Sequence, residues 1–230
     1  MSNAVRSIDL NCDMGESFGA WTMGNDRAVL DHVTSANVAC GFHAGDPRIM
    51  QQTVADALAR GVQIGAHPGF QDLAGFARAA GTRLNHVKAH GALYNMAIKD
   101  RALTDAIVRA VRDVDAELIF FGLAGTCMIE AAEAIGLRAA AEVFADRTYQ
   151  DDGSLTPRTQ PGAMIVDEDV SAEQVKRMVL EGRVRSVNGR DVAVRADTLC
   201  IHGDQPGAVA FAQRIRAMLA AEGVAVRAPV

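Results

Sequence analysis

"IDLNCDMGES", residues 8–17, reads as a strand that stops abruptly in carboxylates. Successive side chains of a strand alternate, so Ile8, Leu10 and Cys12 take one side and Asp9, Asn11 and Asp13 the other. Glu16 follows within one turn. For a single strand, a polar loop is explanation enough. The same ending recurs along the chain, and that recurrence decides the fold.

After Ser7–Asp13, short apolar runs predict strands at Ala36–Cys40, Val62–His67, Asn85–His90, Glu117–Leu123, Ala140–Phe144 and Thr198–His202. Amphipathic helical patterns lie between most of them. "DPRIMQQTVADALARG" opens with Asp46 as N-cap and Pro47 at the first helical position, and Gly61 stops it. "DRALTDAIVRAVRDV" and "QPGAVAFAQRIRAMLAAEG" read the same way. Asn188-Gly189 between two alternating runs signals a hairpin. Residues 182–194 around it read as an excursion whose deletion is better tolerated than a change at a strand end. Strand–helix alternation predicts parallel βαβ units, and about seven of them fit a closed or nearly closed barrel. A doubly wound open sheet is the alternative. No GxGxxG follows a strand and no GxxxxGK[ST] occurs, so no nucleotide site is expected on this chain.

Composition bounds the function. The chain has 230 residues, 49% of them apolar, enough for one large core. A net charge of −5 with interspersed signs argues against nucleic acid as a partner. There is no apolar run of membrane-spanning length and no secretory signal, so a cytoplasmic, membrane-free protein is expected. Cys12, Cys40, Cys127 and Cys200 are widely spaced and read as reduced thiols, mostly packed as small hydrophobes.

In a parallel barrel, all carboxyl ends of strands meet on one rim, where barrel enzymes place their chemistry. Strand ends supply Asp13 and Glu16, then His43 and Asp46, then His67 and Asp72, then Lys88, His90 and Asn95. Later ends supply Asp146 with Arg147, and His202 with Asp204. Each alone is weak. Asp46 doubles as an N-cap, and His32 and His86 read as structural. Four histidines at four strand ends, each near glycine, are harder to explain by packing. Lys88 within an apolar strand demands a partner. These groups suit proton transfer and binding of anions or an oxyanion. His and Asp are also metal ligands, but HExxH is missing, and whether a metal binds is left open.

The runs "IDLNCDMGESFG", "SANVACGFHAGDP", "GAHPGFQDLAGF", "HVKAHGALYN", "GLAG", "EVFADRTYQDDGSLTPRTQPGA" and "ADTLCIHGD" span nearly the whole chain. Together they resemble the LamB/YcsF family, which supplies the A subunit of the prokaryotic ATP-dependent 5-oxoprolinase. The resemblance implies a (β/α)7-type distorted TIM-like barrel, glycoside hydrolase/deacetylase-like. It also implies hydrolysis of 5-oxo-L-proline to L-glutamate together with B and C subunits, which would bind the ATP. On that reading Asp13 or His43 is a base toward water, with His67 and His90 around the reacting carbon. Lys88, or Arg147 and Arg158, engage carboxylate or phosphate. Asn11, Glu16, Asp46, Asn95, Asp146, His202 and Asp204 complete the expected substrate site. Two other readings stay open, a stand-alone metal-dependent deacetylase or amidohydrolase and a non-catalytic substrate-binding subunit.

Two departures stand out. Ala89 replaces a proline usual in "VKPHGALYN". Residues 68–84 hold a loop and "ARAAG", which reads as the last turn of a helix with no helix before it. A parallel crossover needs about a dozen residues beyond such a loop. A single barrel domain over 1–230 is therefore expected, with residues missing near 76–77.

Overall fold

Alternation within Ser7–Met14 (β1) sorts its side chains between two environments. Ile8, Leu10, Cys12 and Met14 enter an apolar layer outside the barrel wall. Asp9, Asn11 and Asp13 face the opposite way, where polar side chains of other strands meet them. The computed structural model describes residues 6–68, 83–202 and 207–229. Seven parallel strands form a closed barrel. They are β1, Ser35–Ala39 (β2), Gln63–His67 (β3), His86–Lys88 (β4), Ile119–Leu123 (β5), Arg138–Phe144 (β6) and Thr198–His202 (β9), with β9 pairing back onto β1. Arg183–Arg185 (β7) and Asp191–Ala193 (β8) form a separate antiparallel pair, and Ala225–Val226 (β10) adds to the start of β1. No described helix is long and apolar enough to cross a membrane.

Among the described residues the α-helices are Asp26–Val29 (α1), Pro47–Ala59 (α2), Gly91–Ala97 (α3), Arg101–Val114 (α4), Cys127–Ala134 (α5), Glu168–Lys176 (α6) and Ala208–Ala221 (α7), and a π-helical stretch, Arg177–Glu181, continues α6. Their buried residues, such as Val54, Val108, Met128, Val175 and Ile215, pack against the outward faces of the strands. The main hydrophobic core is thus the layer between barrel and helices.

Much of the barrel interior is a polar column. At its base Asp9 accepts hydrogen bonds from Thr198, Ser35 and Thr34 at 2.6, 2.8 and 2.6 Å. One level up, Asn11 donates to Thr198 Oγ1 at 2.7 Å and Glu142 Oε1 at 3.2 Å. Asn37 donates to Asn11 Oδ1 at 2.6 Å and Asp13 Oδ1 at 2.7 Å. His86 closes that level, 2.6 Å from Asn37 Oδ1 and stacked on Phe121. Satisfied in this way, buried polar groups need not destabilise the fold.

His86 explains a glycine. A Cβ at Gly65 on β3 would lie 2.0 Å from His86 Nε2, so the strand must be bare there. Gly65→Ala is expected to cost about 1–3 kcal/mol by overpacking. Urea unfolding checks this, and adding His86→Ala should recover part of the loss.

Two expectations are corrected. The strand predicted to run to His90 ends at Lys88, and His90 stands at the N-terminal boundary of α3. The Asn-Gly hairpin exists, but Asn188 keeps a negative φ and only Gly189 is left-handed, at +80°. Ser186 and Arg190 close a three-residue loop, so this is not the two-residue turn that Asn-Gly favours. Nor is the hairpin detachable. Val184 is fully buried in the main core and Asn188 donates to Asp151. Deleting 182–194 would open that core.

Candidate active site

Each rim residue sits where its strand ends. Asp13, near the end of β1, lies 3.0 Å from Lys88 Nζ at the end of β4. Lys88 is 2% exposed and also reaches Glu142 Oε1 on β6 at 3.0 Å and Cys200 Sγ on β9 at 3.2 Å. Burial works against its charge, but Asp13 and neighbouring anionic groups outweigh burial and raise the Lys88 pKa well above its ordinary value. Burial also works against the Asp13 carboxylate, while His67 and Lys88 hold it well below the ordinary range. The pair is ionised and fixed.

His67, at the end of β3, is buried, with Nδ1 3.1 Å from the Lys88 carbonyl oxygen. A carbonyl only accepts, so Nδ1 carries the proton and Nε2 is left unprotonated in the neutral ring. Burial lowers the His67 pKa to about 4, so the ring is neutral near pH 7. Its Nε2 lies 2.7 Å from His90 Nδ1 and 3.4 Å from Asp13 Oδ2. His90 stacks face to face on His43, with centroids 3.5 Å apart. Glu16 Oε1 approaches both, 3.6 Å from His43 Nε2 and 3.7 Å from His90 Nδ1. The His43 imidazole holds Glu16 below its ordinary pKa against the effect of burial.

On the other wall, His202 at the end of β9 donates from Nδ1 to Asp146 Oδ2 at 2.7 Å. Its Nε2 lies 3.1 Å from Arg158. Arg147 commits two donors to the loop that carries Arg158, to Thr156 O at 2.6 Å and Ala163 O at 3.4 Å. Burial lowers its pKa. Between the walls lies a cleft of about 480 Å³, lined by both sets of side chains and by Tyr94, Asn95 and Phe144.

The sequence expectations sort accordingly. Asp13, Glu16, His67, Lys88, His90, Asn95, Arg147, Arg158 and His202 line the cleft. His43 stands beside it, against His90 and Glu16. Three expected substrate-binding residues are placed differently. Asn11 is fully buried one level down, because it precedes Asp13 by two residues on the same face. Asp46 accepts from the backbone N–H groups of Arg48, Ile49 and Gly19, so it caps α2 and anchors a loop. Asp146 is buried behind His202. Asp204, Asp72 and the expected discontinuity near 76–77 fall outside the described residues. His32 lies outside the barrel beside Gln213.

Sequence reasoning missed Glu142 and Tyr94. Tyr94 donates to Glu142 Oε2 at 2.8 Å, and Glu142 shares Lys88 with Asp13. An acid alone within "AAAEVFA" was the available signal for a buried partner of Lys88. Among the described residues, two groups of side chains bring metal-ligand atoms within 4.8 Å of one another, Glu16 with His43, His67 and His90, and Asp13 with Cys200 and His202.

Fold and site together define a parallel α/β barrel with an imidazole- and carboxylate-lined cleft at its strand ends. The chain belongs to the LamB/YcsF family, whose model matches residues 8–80 and 73–230. It is 60% identical over 248 residues to the A subunit of 5-oxoprolinase from Bordetella pertussis, covering 96% of this chain and 98% of that protein. A protein of the same name from Bacillus subtilis is 53% identical over 247 residues, covering 96% of each. The crystal structure of the lactam utilization protein from Thermus thermophilus superposes with a TM-score of 0.89 at 43% identity, covering 97% of this chain and 100% of that one.

Proposed function

We propose that this chain is the A subunit of an ATP-dependent 5-oxoprolinase, working in the cytoplasm with B and C subunits that bind ATP and activate the lactam. The observation that carries the reading is the cleft with two unlike walls. Glu16, His67 and His90 offer proton acceptors on one side, and Arg147, Arg158 and His202 offer cationic and donor groups on the other. The relatives' shared name and the lactam utilization protein support it.

In this mechanism the partners transfer a phosphoryl group from ATP to the lactam oxygen. Within the barrel, water adds to the activated ring carbon and gives its proton to the imidazole wall. The carbon–nitrogen bond breaks as the ring nitrogen takes up a proton and leaves as the amine. A second water hydrolyses the acyl phosphate, releasing phosphate and L-glutamate. Lys88, itself held by Glu142, holds Asp13 in place rather than reacting. Arg158 and His202 hold the anionic groups of the substrate.

The direct test measures glutamate formed from 5-oxoproline and ATP. The chain alone should give none, and the chain with its B and C partners should turn over. Turnover by the chain alone without ATP would favour a stand-alone amidohydrolase. Arg158→Ala should raise KM for 5-oxoproline roughly 10- to 150-fold, the equivalent of about 1.5–3 kcal/mol for a hydrogen bond to a charged group. An unchanged KM would remove Arg158 from substrate binding.

The reading of 1–230 as one barrel domain, with a segment absent near 76–77, belongs to the same proposal. It is supported by the two family matches, which overlap at residues 73–80. Peptide mapping of the natural protein that finds extra residues between Phe76 and Ala77 would reveal that segment. A peptide running straight from Phe76 to Ala77 would mean a crossover that is short in the protein itself.

A further inference from the structure

We propose that Glu16, His43, His67 and His90 bind one zinc-like divalent cation at the barrel mouth, through Glu16 Oε1, Nε2 of His43 and His67, and Nδ1 of His90. The four side chains come from consecutive segments, after β1, after β2, at the end of β3 and after β4. Their ligand atoms lie within 4.8 Å of one another.

Three features of the cluster suit a cation better than a hydrogen-bond network. First, both ring nitrogens of His43 are buried without a hydrogen-bond partner. A buried polar atom left unsatisfied is costly unless something else engages it. Second, Glu16 Oε1 stands 3.6 and 3.7 Å from two imidazole nitrogens. These separations are too long for hydrogen bonds. They are close to the edge of about 3.3 Å that separates ligands on a tetrahedral zinc with bonds near 2.0–2.1 Å. Third, the Lys88 carbonyl fixes Nδ1–H of His67, which turns the unprotonated Nε2 toward the cluster. A backbone carbonyl holding the far nitrogen is how metal-ligating histidines are commonly oriented.

Three imidazoles and one carboxylate suit zinc better than calcium or magnesium, which prefer all-oxygen shells. The charges balance locally. Glu16 supplies one negative charge, and the neighbouring group of Asp13, Glu142 and Lys88, two carboxylates on one ammonium, leaves a second in excess 3.4 Å from His67 Nε2. The cation takes the place of the hydrogen shared between His67 Nε2 and His90 Nδ1, and that proton moves to Nε2 of His90. On binding, the 2.7 Å gap between those nitrogens widens and the His90 ring tilts out of its 3.5 Å stack on His43, so that both lone pairs meet the cation. The rival group of Asp13, Cys200 and His202 is already held by an ammonium, since Lys88 Nζ lies 3.0 Å from Asp13 and 3.2 Å from Cys200 Sγ.

The inference concerns binding and stands apart from the lactam reading, whose proton transfer to the imidazole wall belongs to the metal-free cleft. Chelator-treated full-length chain is titrated with zinc chloride by calorimetry, and with cobalt(II) chloride by visible absorption. One zinc per chain is expected, with the intense visible band of four-coordinate cobalt. His43→Ala should weaken zinc binding by more than about 100-fold, beyond the 10–100-fold usual for outer-shell partners. His202→Ala should leave it unchanged. Circular dichroism confirms folding, and His43→Gln replaces His43→Ala if the latter does not fold. Failure to bind zinc at micromolar concentration would overturn the proposal. So would binding that survives His43→Ala or His43→Gln, or that is lost in His202→Ala instead. Glutamate production is read separately on the metal-free complex, so zinc binding by the chain without lactam hydrolysis there would count against the function alone.

Discussion

Lys88→Met is expected to destabilise the chain by about 3–5 kcal/mol, the usual cost of removing one partner from a buried ion pair. Lys88 is almost wholly buried, and its ammonium stands between Asp13 and Glu142, 3.0 Å from each. The rings of Phe144 and Tyr94 flank it, 5.2 and 5.8 Å from Nζ. Methionine keeps the length and loses the charge, so two carboxylates face each other without a counterion. Urea unfolding at pH 7 reads the loss from the shift in midpoint at unchanged slope. Adding Glu142→Gln should restore part of it, since one buried negative charge then disappears. A loss below about 1 kcal/mol would show the pair to be as weak as a surface salt bridge.

His67→Ala should lower kcat of the assembled enzyme by about 10²–10⁴-fold, the usual contribution of a placed proton-transfer group. The chain should remain folded, though not free of cost. A strand-end residue facing a cleft would be cheap to truncate, yet His67 is only 1% exposed and hydrogen-bonds the Lys88 backbone. A penalty of about 1–3 kcal/mol is therefore expected. Its ring fixes His90, 2.7 Å away, so the fall should appear in kcat more than in KM. A folded variant with full activity would remove His67 from the mechanism, and an insoluble one would make the residue structural.

The strands were legible because each carries its own alternation, and β9 is predicted to the residue at Thr198–His202. The rim was legible because a parallel barrel brings all strand ends together, whatever their separation in sequence. Depth was not. Asn11 and Asp13 share a face of β1, and only the closed barrel places one on the floor and the other in the mouth. Asp46 satisfied two patterns at once, and the free N–H groups of α2 claimed its oxygens. Glu142 and Tyr94 belong to Lys88 through contacts across the barrel that no local pattern records. The hairpin was misjudged for a related reason. Its turn signal is local, whereas the burial of Val184 depends on distant elements.

The polar column inside the barrel also has a bearing on how the chain finds its shape. A strand that slips by one residue exchanges its two faces. In β1 such a slip would thrust Asp9, Asn11 and Asp13 into the greasy layer beneath the helices and strand Ile8, Leu10 and Cys12 among amides and carboxylates. Misaligned closures are therefore heavily penalised at every level of the column, from Thr198 and Ser35 at the base to Lys88 at the mouth. The interior acts as a combination lock that opens only in one alignment, and the same tumblers that reject wrong pairings leave Asp13 and His67 standing side by side at the rim.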